Sequence, residues 1–515
     1  MDNLLHPPWF LARYQRWWAA ERVTLVVEVD FAVLILRICS YALQFLPSPS
    51  YTLDKIRGML LSDICNMCDV TAESLAAISS ALDGRGSLIR VQHLAFFGLR
   101  CQVEGKRETL WDALSRAIRV AQSVGIHSEA ATARPDVDEL EREMGRRTFC
   151  NLFIWDSLLS RQLGRIALLP GCLNPGNWPK MHLGVVGDAN GEEPSMDAFT
   201  ERLLQARLAD FWRRIGPVAG AEYDMMVAEE RYEQLCSEYI AKLPPTFALQ
   251  PNEAWDKAPT KLPLQRQLLH IAIYESICWN YRPLLIRLPQ EQTLPAYKRM
   301  LLDSQKKALA VAALHVLEGV SQLHAMLGGC HTRFAGLGLS TFEAAVLLVY
   351  LCMDPLFPQD DSSPPISNTK NHRGPDPLQA DIRNINQQRC TEAVQGALDR
   401  LRMLAEVSNV ADVGASTLTQ LMSKASITTE ADDISASQNQ QVAGDIASCI
   451  SFDQADVDSQ DNPMQRSNLS TAMGDMMSWP PFDPSDSNLQ GDFMSVTAIQ
   501  ELQSSWATSM IDFDH

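Results

Sequence analysis

Between Leu88 and Val103, the apolar residues Leu88, Val91, Ala95 and Leu99 recur on one helical stripe, and Gly105 follows where such a helix stops. The same period predicts a helix over 110–124, with Leu110, Leu114, Ala117, Ile118 and Ala121 on one face. Gly125 then sits at the position of a left-handed cap, and Arg116 and Arg119 lie off the stripe, facing solvent or paired. A third helix is predicted over 140–163, its stripe running through Leu140, Met144, Leu152, Trp155, Leu159 and Leu163. Arg142, Arg146 and Arg147 crowd its first turns. Prolines and glycines from Pro170 to Pro194 predict a long surface loop. Helical period resumes over 196–243 until Pro244-Pro245, then over 268–281, 304–327, 341–353, 384–406 and 415–423.

Near the start, Phe10, Tyr14, Trp17 and Trp18 share one helical face, and we expect that face to pack on the domain. The most apolar stretch, 23–46, is interrupted by Glu28, Asp30 and Arg37, and the run 344–353 is too short to span a bilayer. Both therefore read as core helices. No run of alternating residues suggests a strand. The predicted fold is all-α: a large irregular helical array with long loops over residues 1–424, followed by a disordered acidic tail over 425–515.

Charge separates the two parts. The chain carries a formal −18, which argues against bulk electrostatic coating of nucleic acid. Residues 425–515 hold 15 acids and one base, so they account for −14 of it. Within this segment the bulky residues Trp479, Phe482, Phe493, Trp506 and Phe513 alternate with aspartates. Acidic neighbours keep such side chains hydrated and available to dock in a partner's groove, the pattern of an activation segment; a purely solubilising tail is the plainer reading.

Little in the chain suggests catalysis. HExxH, GxSxG and GxxxxGK[ST] motifs are absent, and the Asp360-Asp361 and Asp432-Asp433 pairs lie in Pro/Ser-rich or tail segments. Cys65-x-x-Cys68 lacks the second ligand pair a structural zinc site needs. The 12 cysteines, without regular spacing or a secretory leader before them, read as reduced and mostly buried thiols. His93, His127 and His315 read as structural. We expect no enzyme, no cofactor and no metal.

Asp156 falls mid-helix in an apolar segment, where an unpaired charge is costly. It predicts an arginine partner, with Arg119, Arg147, Arg161 and Arg165 as candidates, in an ion-pair network that fixes helix register. The alternative is an effector-binding anion site at the same arginines.

The stretch Arg90-Val-Gln-His-Leu-Ala-Phe-Phe97, then Leu110-Trp111 leading to Ala117-Ile-Arg119-Val-Ala-Gln-Ser-Val-Gly-Ile-His127, resembles the fungal-specific transcription factor domain, or middle homology region. So does the element from Glu141 through Arg146-Arg147 and Trp155-Asp156-Ser157 to Gly164-Arg165, and, later, Tyr281-Arg282-Pro283-Leu284-Leu285 with the alanine-rich helix from Ser304 to Val316. The resemblance spans most of 1–424 and is most specific over 88–170. Thr148 and Phe149 replace a common tryptophan pair, and Ile166 replaces a proline after Gly-Arg. The first cysteine is Cys39, so the zinc cluster that usually opens such regulators is missing here, as are its coiled-coil heptads.

The resemblance implies a nuclear transcriptional regulator. Its helical domain regulates or senses, and its acidic tail recruits transcription machinery or a coactivator. DNA is met through a missing upstream module or a partner, with pairing to itself or to a zinc-cluster regulator, and no membrane is involved. Location in the nucleus rests on the resemblance, since Arg146-Arg147 and Lys306-Lys307 make no clear basic import cluster. The alternative it leaves is a helical interaction protein that does not bind DNA and pairs with a zinc-cluster regulator.

Overall fold

The computed structural model describes residues 4–45, 55–128, 138–169, 171, 173, 175–181, 183, 199–216, 223–251, 261–285, 294–327, 334–354, 356–357 and 376–430. The five bulky tail residues Trp479, Phe482, Phe493, Trp506 and Phe513, both Asp-Asp pairs and the end of the predicted loop at Pro194 lie outside them.

Helices dominate what is described. In chain order they are α1 (Pro7–Ala19), α2 (Val26–Leu43), α3 (Leu61–Leu82), α4 (Leu88–Val103), α5 (Arg107–Val124), α6 (Glu139–Gln162) and α7 (Thr200–Ile215). Then come α8 (Met225–Gln234), α9 (Leu262–Tyr281), α10 (Ala296–Met326), α11 (Ala335–Cys352), α12 (Gln379–Ile382), α13 (Gln387–Ala405) and α14 (Asn409–Glu430). The all-α expectation holds. The departure is a hairpin of two-residue strands, Lys55–Ile56 and Met59–Leu60, turned by Arg57 and Gly58 at positive φ. Strands this short leave no alternation for a sequence pattern to show.

Contacts divide the chain into two units, and α1 belongs to a different one from the helices that follow. Within α1, Phe10 stacks on Tyr14 and Tyr14 on Trp18, the four-residue spacing that brings rings together along one helix face.

From α2 onward the helices pack on one another. α2 packs on α3 and α4, α4 on α5, and α6 against α4, α5 and α7. Helix α9 joins α7 to α10, and α11 packs on α10, α13 and α14. The stripe predicted for α5 is its buried face: Leu110, Ala113, Leu114, Ala117, Ile118 and Ala121 are all buried, while Arg116 and Arg119 are exposed. Each large apolar side chain so buried contributes about 1.5–3 kcal/mol. Gly105 and Gly125 end α4 and α5 at φ 74° and 94°, a conformation that costs a side-chain-bearing residue strain.

Helix α11 is apolar along its second half, with every residue from Ala344 to Leu351 buried, as suits a core helix. Helix α10 is long and apolar enough to cross a membrane by length and composition, and Ala308 to Ala313 are buried where it meets α9 and α11. The single run predicted over 196–243 is divided. Gly216 ends α7, the Asp224 carboxylate caps α8 by accepting from the Met226 and Val227 amides, and a π turn over Leu235–Tyr239 follows α8.

Candidate functional site

Three buried carboxylates tie the segment of strongest sequence character together. Asp30, in the second turn of α2, is 1% exposed. It accepts from Ser79 of α3 at 2.5 Å, from Ser87 at 2.6 Å and from Arg90 Nε of α4 at 3.2 Å. Arg90 spends its other nitrogens on the Asp83 and Ser79 carbonyls and the Ser79 hydroxyl, so its guanidinium staples three helices. His93 lies 4.0 Å from Asp30, too far to hydrogen-bond, and burial beside Arg37, Arg90 and Arg116 pushes it down to about 3. It is a neutral core histidine. Nearby, Arg37 reaches Asp69 at 2.9 Å and Glu73 at 2.6 Å with its guanidinium over the Phe97 ring.

Glu143, fully buried in α6, accepts from Arg146 Nε at 2.9 Å, Arg147 Nε at 3.0 Å and the Lys180 amide at 3.0 Å. Arg147 also donates to the Met181 carbonyl at 2.8 Å and covers the Phe199 ring. Glu143 and Arg147 thus hold the chain that follows the helix at Lys180 and Met181.

Asp156 is fully buried one face further along α6. It accepts from the Leu168 and Leu169 amides at 2.9 and 2.8 Å and from Arg213 Nη2 of α7 at 2.6 Å. Arg213 continues to the Ser157 hydroxyl and the Leu169 carbonyl, and lies over the Phe153 ring at 4.2 Å. Gly164 makes this return possible, since its φ of 62° turns the chain back and lets the Arg165 amide reach the Ser160 carbonyl. Ile166, where the family carries proline, is almost wholly exposed.

The four arginines expected around Asp156 are placed elsewhere. Arg119 is exposed on α5. Arg147 is drawn to Glu143 four residues back. Arg161 donates to the Ser157 carbonyl at 2.9 Å and lies over the Trp279 ring. Arg165 meets Glu108 at 2.6 Å and the Trp111 ring. Arg213 was not legible, because its place beside Asp156 is set by how α7 packs on α6. Glu143 had a signal, the carboxylate four residues before Arg147.

Other expected groups have structural places. His315 meets Asp381 at 3.1 Å and stacks on Tyr274. The His127 carbonyl accepts from Asn177. Cys65 sits beside Ser40, and Cys68 is buried. Phe149 is buried, and Thr148 accepts from Gln92. Between α4, α5 and α6 an apolar cleft is lined by Leu94, Leu99, Leu114, Leu152, Trp155 and Leu158. Among the described residues, no group of three His, Cys, Asp or Glu side chains is placed to hold a metal ion.

The segment that carries these staples coincides with a match, over residues 3–171, to the family model described as the fungal specific transcription factor domain. The chain is 44% identical, over 82% of its length, to "Transcription factor xilB" of Penicillium rubens, and spans 63% of that protein. It is 39% identical, over 81% of its length, to "Probable transcription factor sol4" of Alternaria solani, of which it spans 74%. No solved structure matches the chain. Both relatives are named as regulators of transcription rather than as enzymes. With identity of this order across most of a relative and the family's own helices tied by Asp30, Glu143 and Asp156, the chain belongs to the fungal-specific transcription factor domain family.

Proposed function

We propose that this chain is a nuclear regulator of transcription in which the helical array of residues 1–424 regulates or senses and the acidic segment 425–515 recruits transcription machinery. What supports the reading most is the 39% identity to a named transcription factor across 74% of that protein. The geometry adds its own argument. Asp30, Glu143 and Asp156 lie buried with arginine partners, and the Arg90–Asp30 and Arg213–Asp156 pairs join different helices, which suits a scaffold rather than a reaction. DNA contact comes through a module outside this chain or through a zinc-cluster partner.

Fusing residues 425–515 to an unrelated DNA-binding domain tests the recruiting half, and reporter expression is the expected result. A silent reporter, with the fusion present at normal level, overturns that half. Chromatin recovery of the full chain in its own cells tests the rest, since a protein that meets no promoter, alone or with a partner, is not a regulator of this kind.

A further inference from the structure

Two thiols meet where α11 ends on the first turn of α13. Cys352 is the last residue of α11, and its backbone carbonyl accepts from the Gln387 side chain at 2.7 Å. Its sulfur lies 3.9 Å from the Gln387 carbonyl oxygen and 4.0 Å from the Thr391 hydroxyl. Gln387 and Thr391 stand one helical turn apart, and Cys390 shares their face of α13. The Cys390 thiol therefore lies against Cys352 and donates a hydrogen bond to its sulfur. The pair joins two helices that pack together.

The two sulfurs are not equivalent. Cys390 is fully buried, whereas Cys352 keeps part of its surface in solvent. The hydrogen bond from Cys390, with a second from Thr391, holds the Cys352 thiol below its ordinary value against the opposing effect of burial. The same bond, together with burial, raises Cys390. The N-terminal end of α13 beside Cys352 adds the positive pole of a helix, which favours a thiolate. Other partly exposed cysteines have different surroundings. Burial pushes Cys39 up to about 11, and Cys65 lies against Ser40. Cys352 is thus the accessible, activated sulfur, and Cys390 is the sheltered one behind it.

We infer that Cys352 and Cys390 form a dithiol site that a hydroperoxide oxidises to a disulfide. The Cys352 thiolate attacks one oxygen of hydrogen peroxide and the O–O bond breaks. Hydroxide leaves with the bonding pair and takes up the proton that Cys352 released, so Cys352 becomes a sulfenic acid. The Cys390 sulfur then gives up its proton and attacks the Cys352 sulfur, and the S–O bond breaks with its oxygen leaving as water. Two electrons pass from the sulfurs to the peroxide, and two waters form. The new bond pins the end of α11 to the first turn of α13 and closes residues 353–389 into a loop. A reducing dithiol reverses it. The site goes beyond the regulatory reading and does not rest on it.

The test uses the reduced full chain and hydrogen peroxide in small molar excess, with remaining thiols alkylated by N-ethylmaleimide and mapped by peptide mass spectrometry. A peptide pair linked through Cys352 and Cys390 is expected, reversible by dithiothreitol and formed at least tenfold faster than oxidation at Cys39 or Cys65. Cys390→Ser is expected to hold Cys352 as a sulfenic acid that dimedone traps. Cys352→Ser is expected to slow oxidation of Cys390 at least tenfold. The proposal is overturned by the absence of the linked pair, by a link from Cys352 to another cysteine, or by unchanged Cys390 oxidation in Cys352→Ser. Should the buried Cys390→Ser change prevent folding, the iodoacetamide rate at wild-type Cys352 takes its place. That rate is expected to exceed the rate at Cys65 at least tenfold, and equal rates overturn the activated sulfur.

Discussion

Asp156 and Arg213 meet at 2.6 Å across the contact of α6 and α7, and the same carboxylate holds the Leu168 and Leu169 amides of the returning chain. One buried charge therefore fixes a helix pair and a loop at once.

Removing either partner leaves the other charged and buried. Asp156→Ala is expected to cost about 3–5 kcal/mol, as is Arg213→Ala. Asp156→Ala with Arg213→Ala is expected to cost less than the sum of its single changes, since no orphan charge remains. Urea unfolding of the four proteins measures this. A wild-type midpoint for Asp156→Ala removes the structural role.

The sequence pattern located the helices at this site well. The stripe over 140–163 becomes α6 over Glu139–Gln162, and Gly125 caps α5 as its position required. It also marked Asp156 as needing an arginine. Which arginine was a different matter, because spacing along one helix ranks only near neighbours, and three of the four candidates are engaged elsewhere in the fold. Glu143 claims Arg147, Glu108 claims Arg165 and Trp279 draws Arg161. Arg213 stands 57 residues away, and only the crossing of two helices brings it in. The packing of Arg161 and Arg231 about Trp279 and Trp212 was illegible for the same reason, being assembled from four separate helices.

Glu143 offers a local test. Its carboxylate collects Arg146, Arg147 and the Lys180 amide, so Glu143→Gln removes the charge the two guanidiniums share and weakens the hold on Lys180 and Met181, although Arg146 keeps Glu139. Limited proteolysis is expected to cut beside these residues at least fivefold faster than in wild type, while the far-ultraviolet helical signal stays unchanged. An unchanged cleavage rate contradicts this hold.

His93 gives the acid limb of stability a sign. Its ordinary value is 6.5, and burial beside three arginines lowers it to about 3 in the folded chain. Between these values the unfolded chain binds a proton that the folded chain refuses, so stability falls as pH drops from 6.5 toward 3. His93→Gln removes that proton. Relative to wild type, the variant is expected to gain between pH 7 and pH 4 in urea midpoint. A constant difference across that window argues against a neutral buried imidazole.

Glu275 acts in the opposite sense and at a higher window. Its ordinary value is 4.5, and burial with Glu343 nearby raises it to about 7, against the pull of Ser340 and Arg161. From 4.5 to 7 the folded chain keeps a proton that the unfolded chain has released, so this group's contribution is full below 4.5 and lost as pH rises through 7. Glu275→Gln cannot ionise and keeps the hydrogen bond from Ser340 available. The variant is therefore expected to match wild type near pH 5 and to exceed it at pH 8, measured by thermal midpoint in one buffer series. If instead the variant is weaker at pH 8 than at pH 5 relative to wild type, the charged carboxylate is needed there by Arg161.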